Sequence, residues 1–308
     1  MSNQAFTDRS APSSTRVFAG SGGLRIVAST FGAPDAPPVL FSHGGGQTRH
    51  SWGAAMTALG EAGFYAVSLD LRGHGDSDWD PEADYSLDTY TADLEAVTRA
   101  IGRPAALVGA SLGGLTSLIL ASRDHSITAL VLVDVVPQLE PEGISEIGAF
   151  MTANPNGFSS LEEAADSIAA YIPHRKRPRN VSGLKKNLRE RNGRFYWHWD
   201  PAMMVGAQHP DPAVLRVKLD EAARRVACPT LLIRGRLSRV VSPAGVAAFR
   251  ALIPSAEFVD IAGADHMVAG DANDAFNAPL IDFLQRKVKR NTDPAASASM
   301  DGGTVNQQ

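Results

Sequence analysis

The segment of the chain best suited to chemistry is the pentapeptide GASLG at residues 109–113. It follows an apolar run at 105–108 and opens a helical pattern over 113–123, which is the strand–turn–helix context of a nucleophile elbow. Such a turn exposes the hydroxyl of Ser111 for attack. It also puts the Leu112 N–H at a helix N-terminus, where a developing anion is stabilised. The alternative interpretation is a tight turn with only a structural role.

Two further loops carry groups that a nucleophilic serine needs. The sequence HGGG at 43–46 follows an apolar strand pattern, and its glycines let a backbone N–H approach a ligand oxygen. We expect the Gly45 N–H to be the second oxyanion donor, with a flexible turn as the alternative. Among eight histidines, His266 follows the last strand pattern, which predicts it as the general base. His43 and His74 are expected to orient loops instead.

The elements that must position these residues alternate between short apolar runs and helical patterns. The runs at 16–19 and 24–31 predict an antiparallel hairpin, and six further runs predict buried strands. Near-continuous apolar strands are typical of a parallel sheet covered on both faces. The alternation of strands with helices therefore predicts a doubly wound α/β fold.

One long segment, 137–226, breaks this alternation. It is helical in pattern, contains no convincing strand, and predicts a helical cap over the carboxyl ends of the strands, where ligands bind. Its aromatic residues Tyr196, Trp197 and Trp199 are expected to line the substrate pocket, with packing inside the cap as the alternative. The remaining boundaries are a disordered leader, a core in two parts and a disordered tail: 1–14, 15–136 with 227–290, and 291–308.

Composition narrows the classes of function. The chain has 308 residues, of which 44% are hydrophobic, and a net charge of −4, which is globular composition and argues against a nucleic-acid binder. The single cysteine, Cys228, forms neither an intrachain disulfide nor a cysteine-based zinc site. No apolar run is long enough to span a membrane and no secretory signal is recognised, so a cytoplasmic protein acting on a small molecule is expected. The oligomeric state stays open, with a homodimer among the alternatives.

Taken together, the motifs resemble the α/β-hydrolase superfamily over residues 16–290. The resemblance rests on HGGG at 43–46, on DLRGHGDS at 70–77, on the elbow at Ser111 and on GADH at 263–266. It implies an eight-stranded, mostly parallel sheet, a Ser–acid–His triad in that chain order, and no cofactor or metal. Family members that open epoxides or displace halide use aspartate as the nucleophile. A serine therefore favours acyl transfer to and from an ester, lactone, thioester or related carbonyl compound.

The acid is where the sequence departs from the family pattern. Arg239 stands at the position where the family usually carries the acid, and a guanidinium has only donors to offer the imidazole and would repel an imidazolium. Some members carry the acid after the strand that follows the nucleophile, and Asp134 resembles that arrangement. The alternative is that Asp134 caps the next turn. Asp260 and Asp265 are weaker candidates because they lie too close to His266 along the chain.

The sequence leaves more than one class of function open. The first is a serine hydrolase of a small apolar ester, lactone or related carbonyl substrate, in which Ser111 attacks, His266 takes the proton and Asp134 orients the imidazole. The second is a ligand-binding or receptor-like protein with weak turnover, which the arginine at the usual acid position favours. A cofactor-free perhydrolase, lyase or C–C hydrolase would use the same triad and is the third.

Overall fold

The computed structural model of the protein describes residues 14–172, 177, 179–204, 211–266 and 273–289. The expected leader and tail lie outside these ranges, except that Ser14 begins the first strand. No helix in the described ranges is both long and apolar enough to cross a membrane.

An eight-stranded sheet forms the core, as the apolar runs predicted. The strands in the described ranges are β1 (Ser14–Ala19), β2 (Arg25–Phe31), β3 (Pro38–Ser42), β4 (Tyr65–Leu69), β5 (Ala105–Ala110), β6 (Ile127–Val133), β7 (Leu188–Arg191), β8 (Arg194–Trp197), β9 (Thr230–Gly235) and β10 (Glu257–Ile261). All except β7 and β8 belong to this sheet, in the order β1-β2-β4-β3-β5-β6-β9-β10. Strands β1 and β2 form the expected antiparallel hairpin, β2 is also antiparallel to β4, and all other neighbours are parallel.

Helices cover both faces of this sheet, and two further helices, α4 and α5, lie in the segment predicted as the cap. In chain order the helices are α1 (Gly53–Glu61), α2 (Leu87–Ile101), α3 (Ser111–Ala121), α4 (Pro141–Thr152), α5 (Leu161–Tyr171), α6 (Pro212–Arg225), α7 (Pro243–Leu252) and α8 (Asn273–Leu284). Successive strand residues point to opposite faces. Leu107 therefore packs in the cluster with α2, α3, α6 and α7, while its neighbour Val108 packs in the cluster with α1 and α8. Burial on both faces explains why the central strands are apolar throughout.

The segment predicted as a helical cap contains a β-hairpin, so the expectation that it holds no strand is wrong. β7 and β8 pair in antiparallel register, and Asn192 and Gly193 form the turn with φ values of +53° and +73°. Asn-Gly is the preferred sequence for such a two-residue turn because both positions need positive φ. The strands are only four residues long and rich in charge, which hid the period-2 pattern.

The end of the cap also needs correction. Helix α6 was predicted as part of the cap, but its buried residues Leu219, Ala222 and Ala223 belong to the hydrophobic cluster of the core. They pack with residues of α3 and α7. The helix returns the chain from the cap to β9, and its apolar face is buried against the core. The cap in the described ranges therefore comprises α4, α5, the β7–β8 hairpin and the turns around them.

Candidate active site

The turn between β5 and α3 has the geometry of a nucleophile elbow. Ser111, the first residue of α3, has a φ of +47°, which is unusual for a residue with a side chain. A Cβ on Gly109 would lie 2.4 Å from the Gly113 carbonyl oxygen, and one on Gly113 would lie 2.3 Å from the Ser42 carbonyl oxygen. Only glycine fits at these two positions, and the close packing that they allow holds the serine in its strained conformation.

Asp134 and His266 are in contact, although 132 residues separate them. The Nδ1 atom of His266 lies 2.7 Å from Oδ2 of Asp134, and the Asp134 side chain is fully buried. Asp134 follows β6 and His266 follows β10, so both lie at the carboxyl edge of the sheet where β5 delivers Ser111. A charged carboxylate only accepts, so Nδ1 donates to it and Nε2 is left as an acceptor. Ser111 and His266 line the same cavity.

Ser238 is a further residue at this site, and no role was predicted for it from the sequence. Its hydroxyl donates to Oδ2 of Asp134 at 2.5 Å, since a carboxylate oxygen only accepts. Oγ of Ser238 itself accepts the N–H groups of Val240 and Val241 at 3.1 and 3.2 Å. The Gly235 N–H donates to the other carboxylate oxygen at 3.1 Å. The loop in which the family usually carries its acid therefore supplies donors to Asp134. The serine in that loop was the available signal.

Arg239 does not point at this group. Its guanidinium pairs with Glu146 of α4 at 2.5 Å, and two-thirds of the Arg239 side chain is exposed. The expectation that Arg239 would repel the imidazolium is therefore wrong, because the side chain runs outward to the cap and not toward His266.

The glycine loop, residues 44–46, runs beside the elbow: a Cβ on Gly44 would lie 3.2 Å from that of Ser111. The Leu71 N–H donates to Nε2 of His43 at 3.0 Å, so Nδ1 of His43 carries the proton and donates to the Gly44 carbonyl at 2.8 Å. In a trans peptide the C=O and the next N–H point in opposite directions. The Gly45 N–H is therefore directed away from the buried His43 ring, and Gly45 lines the cavity.

The Leu112 N–H lies in the first turn of α3, where backbone N–H groups have no acceptor within the helix. The side chain of Leu112 is not part of the cavity wall, so its expected role concerns the backbone alone. The Gly45 and Leu112 N–H groups remain the predicted oxyanion donors beside Ser111.

Burial keeps the histidines beneath the glycine loop neutral. Loss of hydration lowers the pKa of His43 to about 4 and that of His74 to about 3, with their mutual proximity adding to the shift for His74. His74 accepts the Gly46 N–H at 3.1 Å. These contacts agree with the expectation that both residues orient loops. Neither ring is free to serve as a general base.

A cavity of about 440 Å³ lies between the elbow and the cap. Trp197 and Trp199, both predicted to line it, form part of its wall with their rings stacked at 4.9 Å. Phe150 and Tyr171 form a second stacked pair at 4.3 Å, and burial raises the pKa of Tyr171 to about 12. The wall contributed by the cap is therefore mainly aromatic and aliphatic.

Tyr196, predicted to join this wall, is not one of the residues lining the cavity. Side chains alternate along β8, and Trp197 faces the cavity, so its neighbour Tyr196 points the other way. The Tyr196 ring lies 4.8 Å from the guanidinium of Arg191. The structure gives no support to a substrate contact by Tyr196.

The part of the chain that the structure describes contains no cluster of three or more His, Cys, Asp or Glu side chains that could hold a metal ion. The groups at the cavity are the hydroxyl of Ser111, the imidazole of His266 supported by Asp134, and the backbone of the glycine loop. That set is suited to nucleophilic acyl chemistry.

Comparison with known proteins assigns the fold. A family model described as alpha/beta hydrolase fold matches residues 37–272. The chain belongs to the α/β-hydrolase family. An esterase from Mycobacterium tuberculosis is 33% identical to this hydrolase over 252 residues, which cover 78% of each chain. A 2-(acetamidomethylene)succinate hydrolase from Mesorhizobium japonicum is 30% identical over 250 residues, 79% of this chain and 86% of that protein.

Solved structures agree with this assignment. The crystal structure of an E-2-(acetamidomethylene)succinate hydrolase superposes on this α/β-hydrolase with a TM-score of 0.79 at 26% identity, covering 89% of this chain and all of the other. The named relatives are esterases and hydrolases, so the chain is an enzyme with hydrolase activity.

Proposed function

We propose that the protein is a serine hydrolase of carboxylic esters that uses Ser111, His266 and Asp134. The observation that carries this proposal is the 2.7 Å contact between His266 and the buried Asp134, at the edge of the cavity that Ser111 also lines. An imidazole held this way has Nε2 available to take a proton, which is what a serine nucleophile requires.

In the proposed reaction, Oγ of Ser111 attacks the ester carbonyl while Nε2 of His266 takes the hydroxyl proton. Asp134 stabilises the imidazolium that results. The Gly45 and Leu112 N–H groups stabilise the negative oxygen of the tetrahedral intermediate. Collapse breaks the ester C–O bond, and His266 returns the proton to the leaving alcohol. Water, activated by the same imidazole, then releases the acid and restores the serine.

The composition of the cavity wall favours an uncharged substrate with a small apolar group. Trp197, Trp199 and Phe150 offer aromatic surface. The guanidinium of Arg177, also in the wall, is paired with Asp166 at 2.6 Å and does not present an unpaired charge. Binding such a substrate removes apolar area from water without stranding an ion, which favours a neutral ester or lactone over a dicarboxylate.

Arg239 no longer favours a ligand-binding protein without turnover. That alternative depended on a guanidinium at the triad, and the Arg239 side chain instead pairs with Glu146. Perhydrolysis or C–C bond cleavage would use the same groups and is separated from ester hydrolysis by the choice of substrate.

The test combines covalent labelling with a substrate panel. A fluorophosphonate should label Ser111, identified by mass spectrometry of the modified peptide, and Ser111→Ala should lose labelling and at least about 10³-fold in kcat because triad members act as a unit. The panel comprises p-nitrophenyl esters of increasing acyl length, lactones, and a succinate-type dicarboxylate of the kind named for the Mesorhizobium relative. Unlabelled Ser111 together with full turnover in Ser111→Ala would contradict the proposal.

A further inference from the structure

His198 is a residue of the cap, and both hydrogen bonds of its side chain are to loops of the core. It follows β8 and is fully buried. Its Nδ1 accepts the Gly75 N–H at 2.9 Å, so Nε2 carries the proton and donates to the Gly46 carbonyl at 3.3 Å. Its own backbone N–H stays within the cap, donating to the Asn187 carbonyl at 3.3 Å. One ring thus joins the cap to two core loops.

Gly46 is held from both sides by imidazoles. Its N–H donates to His74 at 3.1 Å and its C=O accepts from His198. The rings of His74 and His198 lie 5.9 Å apart, and the His43 ring, which holds the Gly44 carbonyl, lies 4.9 Å from that of His74. All three rings therefore fix successive peptide groups of the glycine loop. His198 is the only one of these three that comes from the cap.

These contacts depend on neutral rings. Burial lowers the pKa of His198 well below 6.5, and the neighbouring His74, His43 and Arg189 lower it further. Each ring uses one nitrogen to accept a backbone N–H. Protonation of that nitrogen would place a ring N–H opposite the backbone N–H, and the hydrogen bond would be lost. In the neutral form, the pattern of donors and acceptors matches the backbone groups that face it.

His198 also separates the two tryptophans of the cavity wall. Trp197 and Trp199 precede and follow it and stack on each other, and the Trp199 ring lies edge-on to His198 at 5.3 Å. A Cβ on Gly46 would lie 3.4 Å from the ring of Trp199. The Trp199 ring of the apolar wall therefore lies beside the glycine loop at Gly46.

We propose that His198 is a positioning residue that fixes the glycine loop from the cap, so that the Gly45 N–H is held in place for the oxyanion. This inference rests on the proposed ester hydrolysis by Ser111. A donor displaced by a fraction of an ångström stabilises the tetrahedral intermediate less while substrate binding is little changed, so His198 is expected to act on kcat and not on KM.

Two amide variants of different length separate the hydrogen bond to Gly46 from the one to Gly75. In His198→Gln the side-chain amide can still donate to Gly46, whereas in His198→Asn the shorter side chain retains only an acceptor for Gly75. With p-nitrophenyl acetate we expect His198→Gln to stay within about threefold of the wild-type kcat and His198→Asn to lose about 10- to 100-fold, both with KM within about twofold. Arg189→Gln is the matched control. It removes the 3.0 Å ion pair between β7 of the cap and Asp76 of the core, and it should leave kcat unchanged.

Hydrogen–deuterium exchange gives a readout that needs no turnover. The peptide containing residues 43–47 should exchange about tenfold faster in His198→Asn than in the wild type, and at the wild-type rate in His198→Gln, because exchange reports local opening of hydrogen bonds. Equal kcat in the two variants, a change in KM alone, or unchanged exchange in both would overturn the proposal. Absence of fluorophosphonate labelling in the wild type would instead refute the proposed hydrolysis, and the exchange result would still decide whether His198 holds the loop.

Discussion

The hydroxyl of Ser238 donates to Oδ2 of Asp134 at 2.5 Å, and the same oxygen lies 2.7 Å from Nδ1 of His266. Two donors from different loops therefore converge on one carboxylate oxygen. Ser238 follows β9 and Asp134 follows the neighbouring strand β6, so the loop after β9 contributes to the site even though its usual acid is replaced.

Replacement of Asp134 by Asn should be the most damaging change outside the serine itself. We expect kcat to fall by as much as about 10⁴-fold, because an amide favours the wrong imidazole tautomer and leaves the imidazolium without a counter-charge. Steady-state kinetics with a p-nitrophenyl ester measure this, and circular dichroism checks that the fold is kept. A loss of less than tenfold in a folded variant would remove Asp134 from the triad.

Ser238→Ala tests the second donor. Losing a partly buried hydrogen bond to a charged group should reduce the free energy of unfolding by about 1.5 kcal/mol. Urea denaturation measures the change, and Ser255→Ala, at an exposed position, serves as the control with no expected effect. If the two variants prove equally stable, the Ser238 hydroxyl contributes nothing to holding Asp134.

Arg239→Asp restores a carboxylate at the family's usual position and should not raise activity. The side chain there points toward Glu146 of α4 and is mostly exposed. We expect kcat/KM to stay within about threefold of wild type, as for most exposed substitutions away from the reacting atoms. Arg239→Gln, which removes the charge without adding one, is the matched control. A strong gain in Arg239→Asp, with little loss in Asp134→Asn, would assign the acid to the loop after β9.

Trp199→Phe should change which esters are preferred. A smaller ring in the wall enlarges the cavity, so the ratio of kcat/KM for a longer acyl chain over acetate should rise by about tenfold. Tyr196→Phe, in the neighbouring strand β8, is the control. The Tyr196 side chain lies outside the cavity wall, so this change should leave the ratio unchanged. An equal ratio in all three proteins would show that the acyl group binds elsewhere.

Acid should destabilise the protein in a defined window. The pKa of His43 is lowered from 6.5 to about 4 and that of His74 to about 3 by burial, so the unfolded chain binds more protons than the folded chain below pH 6.5. Stability is therefore full above pH 6.5 and falls as the pH drops toward 4. Urea denaturation at several pH values should show this slope. A flat profile between pH 6.5 and 4 would mean that these rings are not buried and neutral.

The sequence by itself determined the sheet and the identity of most groups at the site. The central strands of the sheet are apolar because both of their faces are covered, and close packing requires glycine at positions 109 and 113. Both features can be recognised in short segments of the sequence. The resemblance to the α/β-hydrolase family had the same local basis, since its motifs are short segments at strand ends. The hairpin in the cap had a signal as well, in Asn192 and Gly193.

Only the tertiary structure shows that Asp134 contacts His266 and which side chains support the glycine loop. Asp134 and His266 are 132 residues apart. Their contact depends on β6, β9 and β10 lying side by side, so that the loops after β6 and β10 meet at the carboxyl ends of the strands. Whether Arg239 faces the imidazole or the cap is set by a rotamer and by Glu146, which no spacing rule contains. The bond from His198 to Gly46 spans 152 residues and depends on how the cap docks on the core. Such pairings come from the packing of distant elements, which the order of residues along the chain does not reveal.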